Sequence, residues 1–210
     1  MKEIRLLIAR HGETDYNKDG LLQGRGINAP LNATGMSQAT ELAKYIEQYP
    51  VTYIGSSSMI RAYETAEYYA DDTDMNIIQH AGLDEMDFGE FEGKPYAEVV
   101  DELEPIDKAW RNGEVRLQLP GGESPAEVFE RANEVFQSLL SETEGSHLFV
   151  VAHGRLLRIL LSEWLGYGIK NMDRIHHDNC GVNQIIWSDG EFRAEYLNKT
   201  NYFNKLKRFA

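Results

Sequence analysis

Residues 6–17, LLIARHGETDYN, carry an apolar run directly into a histidine and then into a polar segment. The run is typical of a strand buried on both faces, because consecutive apolar residues are followed at once by glycine and polar residues. His11 therefore stands at the tip of a predicted core strand. Taken alone, it is most simply a polar side chain that forms its hydrogen bonds at a strand end.

A second stretch, LFVVAHG at residues 148–154, ends in the same way, with His153 followed by Gly154. Glycine after each histidine leaves room for another backbone or a ligand to approach closely. The carboxyl ends of parallel strands meet at one edge of a sheet, and ligands bind there. The repeat therefore predicts that His11 and His153 lie together. It makes it less plausible that each is only a polar side chain that forms its hydrogen bonds at a strand end.

Composition excludes several classes of protein. The 210 residues are 42% hydrophobic and 26% charged, and no apolar run approaches the length of a membrane span. The net charge of −13 argues against a nucleic-acid partner, which requires a basic face. We expect one soluble domain over residues 1–210, with no membrane association; its oligomeric state is not readable from the sequence.

Processing and compartment are constrained by the N-terminus and by Cys180. The N-terminal segment is basic and then apolar, but its apolar part is too short for a signal peptide. Cys180 is the single cysteine, so an internal disulfide is impossible and we expect a small buried thiol. Both features predict a cytoplasmic protein. The basic and aromatic C-terminal stretch, residues 198–210, is interpreted as a solvated or docked tail.

Strand-like runs alternate with helical periodicity along the chain. This alternation predicts an α/β fold, a three-layer sandwich whose mostly parallel central sheet is flanked by helices. The last two runs flank an SDGE turn and predict an antiparallel hairpin at an edge. The predicted strands cover residues 3–9, 51–57, 147–153, 182–188 and 192–198, and the predicted helices cover 37–49 (starting at Asn32 or Thr34), 59–70, 124–140 (with a Ser124–Glu127 capping box) and a segment after His153.

Residues 84–122 differ from the rest, because they combine acidic residues, glycines and a proline in mid-pattern. We expect a loop-rich excursion with one or two short helices that covers the substrate. Its aromatic side chains are either walls of a binding pocket or a local hydrophobic cluster, and the sequence favours neither: Phe88, Phe91, Tyr96 and Trp110.

Arginines accompany both histidines. Arg10 precedes His11, and Arg61 lies in the first turn of a predicted helix that follows a third strand. Considered separately, Arg10 is most simply a solvent-exposed residue at the end of the strand. Arg61 is most simply a surface residue that forms an ion pair with Glu64 or Asp15. Guanidinium groups match phosphate oxygens, and imidazole serves as a nucleophile or as a proton donor. Together these residues predict phosphoryl transfer.

Such a reaction also requires an acid for the leaving group. Acidic residues crowd residues 84–92, where mutual repulsion and partial burial favour keeping one carboxyl protonated, although composition does not say which one. A metal site is not expected, because the other histidines lack partners at ligand spacing and are interpreted as surface or loop residues: His80, His147, His176 and His177.

Six blocks occur in order along the chain: LLIARHGETDYN, LQGRGINAPLNATGMSQA, SSSMIRAYETA, LDEMDFGEFEG, PGGESPAEV and LFVVAHG. Together they resemble the histidine phosphatase superfamily, which has the phosphoglycerate-mutase-like fold, over about residues 4–190. The resemblance implies that His11 becomes phosphohistidine, that Arg10, Arg61 and His153 complete a phosphate pocket, and that Glu85 is the acid. Further substrate contacts are implied for Asn17, Gln23, Gly24 and Gly154.

Within that family the sequence resembles the phosphatase branch more than the cofactor-dependent mutases. The mutases typically have a tyrosine-glycine acid motif and an asparagine after the second His-Gly, whereas this chain has DFGEFEG and Arg155. The resemblance implies a metal-independent phosphatase of the histidine acid type, without a cofactor, that acts on a small phosphorylated metabolite. A phosphoglycerate mutase is the alternative. An inactive binding module is disfavoured because the expected catalytic set is intact.

Overall fold

The central element of the computed structural model is a sheet, and the structure describes residues 2–143 and 146–203. Within those residues the sheet has six strands: β1 (Glu3–Arg10), β2 (Tyr53–Ser57), β3 (Ile77–His80), β4 (His147–Ala152), β5 (Val182–Ser188) and β6 (Glu191–Lys199). Their order in the sheet is β3-β2-β4-β1-β5-β6. Strands β1 to β4 are parallel to one another, whereas β5 is antiparallel to β1 and forms the predicted antiparallel hairpin with β6.

Helices cover both faces of this sheet. Alternate residues of β1 and β4 pack to opposite sides, as the period of a strand requires. The described helices are α1 (Asp15–Lys18), α2 (Ala33–Ile46), α3 (Ile60–Thr73), α4 (Tyr96–Arg111), α5 (Pro125–Glu142) and α6 (Gly154–Trp164), with short 3-10 turns between them. On one side of the sheet Leu7 and Phe149 pack against α2 and α3, and on the other Leu6 and Val150 pack among residues of α4, α5 and α6. The predicted three-layer α/β sandwich is confirmed.

The register of the sheet brings the two His-Gly pairs together. β1 and β4 are adjacent parallel strands in which Arg10 pairs with Ala152. The next residue along each strand is His11 in one and His153 in the other. Parallel neighbours in this register place the two imidazoles side by side at the carboxyl edge of the sheet.

Two predictions about the elements were wrong. β3 was not predicted. The excursion contains one long helix, α4, rather than only short ones, because Pro105 lies on its solvent face and the carbonyl it leaves without a donor belongs to exposed Asp101. His177, interpreted as a surface or loop residue, lies in a loop but is buried.

The aromatic residues of the excursion divide between the two interpretations. Trp110, Phe88 and Phe91 are buried in the same core cluster as β1, α5 and α6, whereas Tyr96 is 47% exposed. The cluster therefore ties the excursion to the sheet. Cys180 is buried, as expected.

The C-terminal stretch lies partly outside the described residues, which end at 203. Its described part is docked, since Tyr202 stacks on Tyr45 and donates a hydrogen bond to the carbonyl of Cys180. Among the helices that the structure describes, none is long and apolar enough to cross a membrane.

Candidate active site

The centre of the candidate site is the pair His11 and His153, whose ring centroids lie 5.1 Å apart. Nδ1 of His11 lies 2.7 Å from the carbonyl oxygen of Gly12. A carbonyl only accepts, so Nδ1 carries the proton and Nε2 carries the lone pair. Burial, together with the charges of Arg61 and Arg10, lowers the pKa of His11 well below its ordinary value. The ring is therefore a neutral nucleophile at Nε2.

His153 is held by a serine at the end of β2. The Oγ of Ser57 lies 2.6 Å from Nε2 of His153 and also accepts a hydrogen bond from the backbone N–H of Met59. The hydroxyl keeps its own proton and a second lone pair, so it can either donate to Nε2 or accept from it. When it donates, the proton of the neutral ring is on Nδ1, which is buried and has no hydrogen-bond partner among the described residues. Burial, and after it the charge of Arg61, lowers the pKa of His153 well below its ordinary value.

Two guanidinium groups border the histidines, and backbone carbonyls hold both. Arg10 donates to the carbonyl of His177 at 2.9 Å. Arg61, which is fully buried, donates to the carbonyls of Ile27 at 2.7 Å and Gly24 at 3.3 Å. Burial lowers the pKa of Arg61 to about 10, and it lowers that of Arg10 as well.

In the described part of the chain, backbone carbonyls and not carboxylates orient both arginines. Their Nε atoms are buried and have no partner in the described part of the chain. Buried N–H groups in that state favour the arrival of an anion, since an unpaired buried donor is costly. The arrangement is able to bind a phosphoryl group.

Glu85 lies beside this cluster at the start of α6. Its two carboxylate oxygens accept hydrogen bonds from the backbone N–H groups of Met86 at 2.8 Å, Arg155 at 3.0 Å and Leu156 at 2.9 Å. The first-turn amides of a helix are otherwise unpaired, so a carboxylate stabilises this terminus. Glu85 is 6% exposed, and its charge acts on both Arg10 and Arg61.

The loop that carries Glu85 is fixed by Arg131 of α5. The guanidinium donates to the carbonyls of Gly82, Asp84 and Glu85 at 2.7–3.0 Å. It also forms a bidentate pair with Glu123 at 2.8 and 2.9 Å. All five N–H groups of Arg131 thus donate a hydrogen bond, three of them to the backbone of residues 82–85 and two to Glu123, a geometry that lysine does not provide.

Glycines at the site are required by close packing. A Cβ on Gly154 would lie 3.3 Å from Nε of Arg10, and one on Gly24 would lie 2.7 Å from the carbonyl oxygen of Met86. A Cβ on Gly12 would lie 2.7 Å from the carbonyl oxygen of Gly35 in α2. Gly12 and Gly154 therefore allow neighbouring groups to reach the histidines, and Gly24 positions the carbonyl that Arg61 binds.

Asn17 and Gln23 line the same edge. The Oδ1 of Asn17 accepts from the backbone of Thr14 and from Nδ2 of Asn179, and Asn179 also donates to the carbonyl of His11. The Oε1 of Gln23 accepts from the hydroxyl of Thr14 at 2.7 Å, while its Nε2 is buried without a partner in the described residues. Gln23 thus has a donor available for a ligand, whereas Asn17 also completes the capping box of α1.

All nine predicted site residues lie in or beside this cluster, and the sequence reasoning missed three others. Ser57, Arg131 and Asn179 each orient a member of the cluster through a contact that spans tens of residues of sequence or more. Ser57 is the middle one of three consecutive serines before Arg61, and nothing in the sequence distinguishes it from its neighbours. No local sequence signal identifies Arg131 or Asn179.

The fold and the cluster define a class of protein built around a histidine pair at the edge of an α/β sheet. The chain belongs to the histidine phosphatase superfamily, branch 1, whose family model matches residues 6–200. It is 32% identical to "Putative phosphoserine phosphatase 2" of Hydrogenobacter thermophilus, over 96% of this chain and 98% of that protein.

Two further relatives extend the comparison. The chain is 30% identical to a "Probable phosphoglycerate mutase" of Yersinia pestis, over 91% of this chain and 88% of that protein. Its structure resembles that of a mycobacterial glucosyl-3-phosphoglycerate phosphatase, with a TM-score of 0.85 and 27% identity over 94% of this chain and all of the other. The relatives thus include proteins named for hydrolysis and one named for phosphoryl migration.

Proposed function

We propose that this protein hydrolyses small phosphomonoesters through a phosphohistidine on His11. The observation that carries the proposal is the geometry of His11, a neutral imidazole with its proton on Nδ1 and its Nε2 free beside two incompletely partnered arginines. Family membership and the phosphatase names of the relatives support the same reaction.

In the first step, Nε2 of His11 attacks phosphorus and the bond between phosphorus and the ester oxygen breaks. Glu85 in its acid form gives its proton to the leaving oxygen. Arg10, Arg61 and the Nδ1–H of His153 stabilise the charge on the phosphoryl oxygens, which is where such transition states need it. Gln23, Asn17 and the backbone at Gly24 and Gly154 complete the walls.

In the second step, a water molecule replaces the departed alcohol. The Glu85 carboxylate accepts a proton from that water as its oxygen attacks phosphorus. The bond between phosphorus and Nε2 breaks, and inorganic phosphate leaves with His11 and Glu85 restored. No atom of a metal ion takes part in either step.

The intermediate provides the direct test. After brief exposure to ³²P-labelled substrate and an alkaline quench, the wild-type protein should carry acid-labile label. His11→Ala should carry none, and the matched control His176→Ala, which alters an exposed histidine, should label like the wild type. Wild-type turnover by His11→Ala would overturn the proposal.

Metal independence is part of the proposal. Among the described residues, no group of three or more histidine, cysteine, aspartate or glutamate side chains is placed to hold a metal ion, which supports it. Turnover should survive dialysis against EDTA without loss. A loss that added divalent cations restore would contradict this part while leaving the phosphohistidine open to its own test.

A mutase is the second candidate, and the relative named for that activity favours keeping it. The two reactions share the first step and differ in the acceptor of the phosphoryl group, which is water in one and a substrate hydroxyl in the other. Incubation with 3-phosphoglycerate should release free phosphate. Accumulation of 2-phosphoglycerate without phosphate release would identify a mutase instead.

We also propose that the protein works in the cytoplasm on a small phosphorylated metabolite. The single cysteine supports a reducing compartment, since the chain has no pair to oxidise. Fractionation of the source cells should place the protein with cytoplasmic markers.

A further inference from the structure

Two partly buried arginines of α6, Arg155 and Arg158, form a second cationic group beside the candidate active site. They are three residues apart and therefore lie on the same side of the helix. Their side chains are only 17% and 29% exposed. We call them the α6 arginine pair.

The α6 arginine pair lacks oxygen acceptors. In the described part of the chain, the closest carboxylate oxygens lie 3.9 Å from Arg155, at Asp107, and 3.9 Å from Arg158, at Asp173, which is beyond hydrogen-bond length. Arg155 has only the sulfur of Met172, at 3.9 Å, and the Nε of Arg158 is buried with no partner. Arg131 has the same 17% exposure as Arg155, yet it donates five hydrogen bonds to oxygen.

The pair is nonetheless held in place. The guanidinium of Arg155 lies over the ring of Trp110, 5.9 Å from its centroid, and Asp173 lies within 4.0 Å of both arginines. Asp173 is also shared with Arg111 of α4. Burial, and then the charge of Arg155, lowers the pKa of Arg158, so the two cations repel each other in a half-buried position. An anion placed between them relieves that repulsion.

The position of the pair matches the leaving-group side of the proposed reaction. The backbone N–H of Arg155 holds the carboxylate of Glu85, so the arginine side chain starts next to the acid. Arg158 lies about one turn further along α6, on the same side as Arg155. Burial lowers the pKa of the Arg10 guanidinium, and the charge of Arg158 acts on Arg10 in the same direction. The alcohol that Glu85 protonates must leave on this side.

We propose that the α6 arginine pair binds a carboxylate on the alcohol part of the substrate, and so selects carboxylate-bearing phosphomonoesters. A planar guanidinium matches a carboxylate with two parallel hydrogen bonds, and two such groups provide the donors that now lack acceptors. This inference rests on the proposed function, because it takes the direction of the leaving group from the role of Glu85.

The test compares O-phosphoserine with O-phosphoethanolamine, which differ by the carboxylate alone. Wild-type protein should prefer phosphoserine in kcat/KM. Arg155→Met and Arg158→Met should each lower the ratio of the two kcat/KM values by about tenfold or more, mainly through KM, because a charge-assisted hydrogen bond is lost. Arg111→Met, which removes another neighbour of Asp173, should leave the ratio unchanged.

The remaining outcomes separate the inference from the function on which it rests. If the two α6 variants hydrolyse both esters with an unchanged ratio of the two kcat/KM values, the proposal of a carboxylate site would be overturned, while the proposed phosphatase function would stand. A preference for a bisphosphate over both esters, lost in the variants, would assign the pair to a second phosphate and overturn the carboxylate. Hydrolysis of neither ester, nor of p-nitrophenyl phosphate, would overturn the proposed function itself. Arg158→Lys, which keeps the charge, should retain part of the preference.

Discussion

At the scale of single residues, the proposed mechanism also depends on side chains outside the reacting set. Arg131 contacts Glu85 through its backbone carbonyl, and Ser57 holds the ring of His153. Their effect is to hold reacting groups at one geometry, which in enzymes matters as much as their identity. Such positioning residues change the rate through another side chain.

Replacement of Arg131 by methionine should therefore weaken acid catalysis selectively. Without the guanidinium, the loop at residues 82–85 loses three donors and the Glu85 carboxyl is no longer held in one place. We expect kcat for phenyl phosphate to fall about tenfold or more, and kcat for p-nitrophenyl phosphate to fall much less, because a good leaving group needs little proton transfer.

The control for that variant is Arg116→Met, which removes an exposed ion pair between Arg116 and Glu130 of α5, the helix that also carries Arg131. It should leave both rates near wild type, since exposed pairs contribute little. Arg131→Lys should restore little of the selective loss, because lysine lacks the forked donors. Equal slowing of both esters by Arg131→Met would show a general structural role instead.

Buried histidines also link stability to pH. Burial lowers the pKa of His177 to about 3, and its ring is neutral in the folded protein at pH 5–7. In the unfolded chain the same histidine titrates near 6.5, so below that pH the unfolded state binds more protons and stability falls as the pH falls. His177 alone should lower the free energy of unfolding by about 1 kcal/mol between pH 6 and pH 5.

Urea unfolding at pH 7, 6 and 5 measures this dependence. His177→Asn should reduce the slope of the free energy of unfolding against pH, while His176→Asn, at the exposed neighbouring position, should retain it. His11 and His153 act in the same direction, because burial also lowers their pKa values. A wild-type slope in His177→Asn would contradict the assignment of a neutral buried ring.

At the scale of elements, the site depends on how closely α2 approaches the loop after β1. Gly35 lies in the first turn of α2, and a Cβ on it would lie 2.1 Å from the carbonyl oxygen of Glu13. Backbone cannot move aside as a flexible side chain does, so the helix would have to shift. That shift would disturb Gly12, whose carbonyl holds the Nδ1 proton of His11.

Gly35→Ala should consequently lose both stability and activity. We expect a decrease of about 2 kcal/mol or more in the free energy of unfolding, together with reduced labelling of His11. Thermal unfolding and the phosphohistidine assay measure the two effects. Ser37→Ala, on the exposed face of the same helix, is the matched control and should change neither; an unaltered Gly35→Ala protein would exclude the close approach.

The elements that the sequence predicts best are those with local signals. The capping box at Ser124 and Glu127 occurs as predicted, and Asn32, one of the two starts predicted for α2, is its N-cap, because a cap involves residues three apart. β3 was not predicted because it is only four residues long and lies at the edge of the sheet, where it pairs with β2 alone. Its residues are partly exposed, so they form no apolar run in the sequence. α4 was misjudged because Pro105 suggests a break, and only the packing of the helix shows that its solvent face tolerates proline.

The same distinction explains the site. His11 and His153 were predicted to meet because strand periodicity and glycine fix their positions locally, and β1–β4 pairing does the rest. The contacts of Ser57 and Arg131 were not predicted, because the partner of each residue lies tens of residues away in the sequence and nothing in the local sequence marks the contact. Local chemistry is readable from sequence, whereas orientation through long-range hydrogen bonds requires the fold.

At the scale of the whole molecule, the excursion and the sheet share one core. Trp110, Phe88 and Phe91 pack in the same cluster as Leu6 of β1 and Phe136 of α5. An excursion that buries its largest side chain there cannot unfold without exposing the faces of the sheet and of α5. On this basis we propose that residues 1–210 form a single domain, in which the substrate-covering segment is part of the cooperative unit.

Equilibrium unfolding distinguishes this proposal from an independently unfolding cover. In the double variant Trp164→Phe, Trp187→Phe, the fluorescence reports on Trp110 alone, while far-UV circular dichroism reports on all helices and strands. The two urea transitions should coincide in midpoint and slope, as a two-state domain requires. A fluorescence transition at lower urea would show that the excursion separates first, and the proposal of a single domain would fail. Because Glu85 lies at the junction between the excursion and α6, coincident transitions would also mean that the acid is ordered only when the whole fold is.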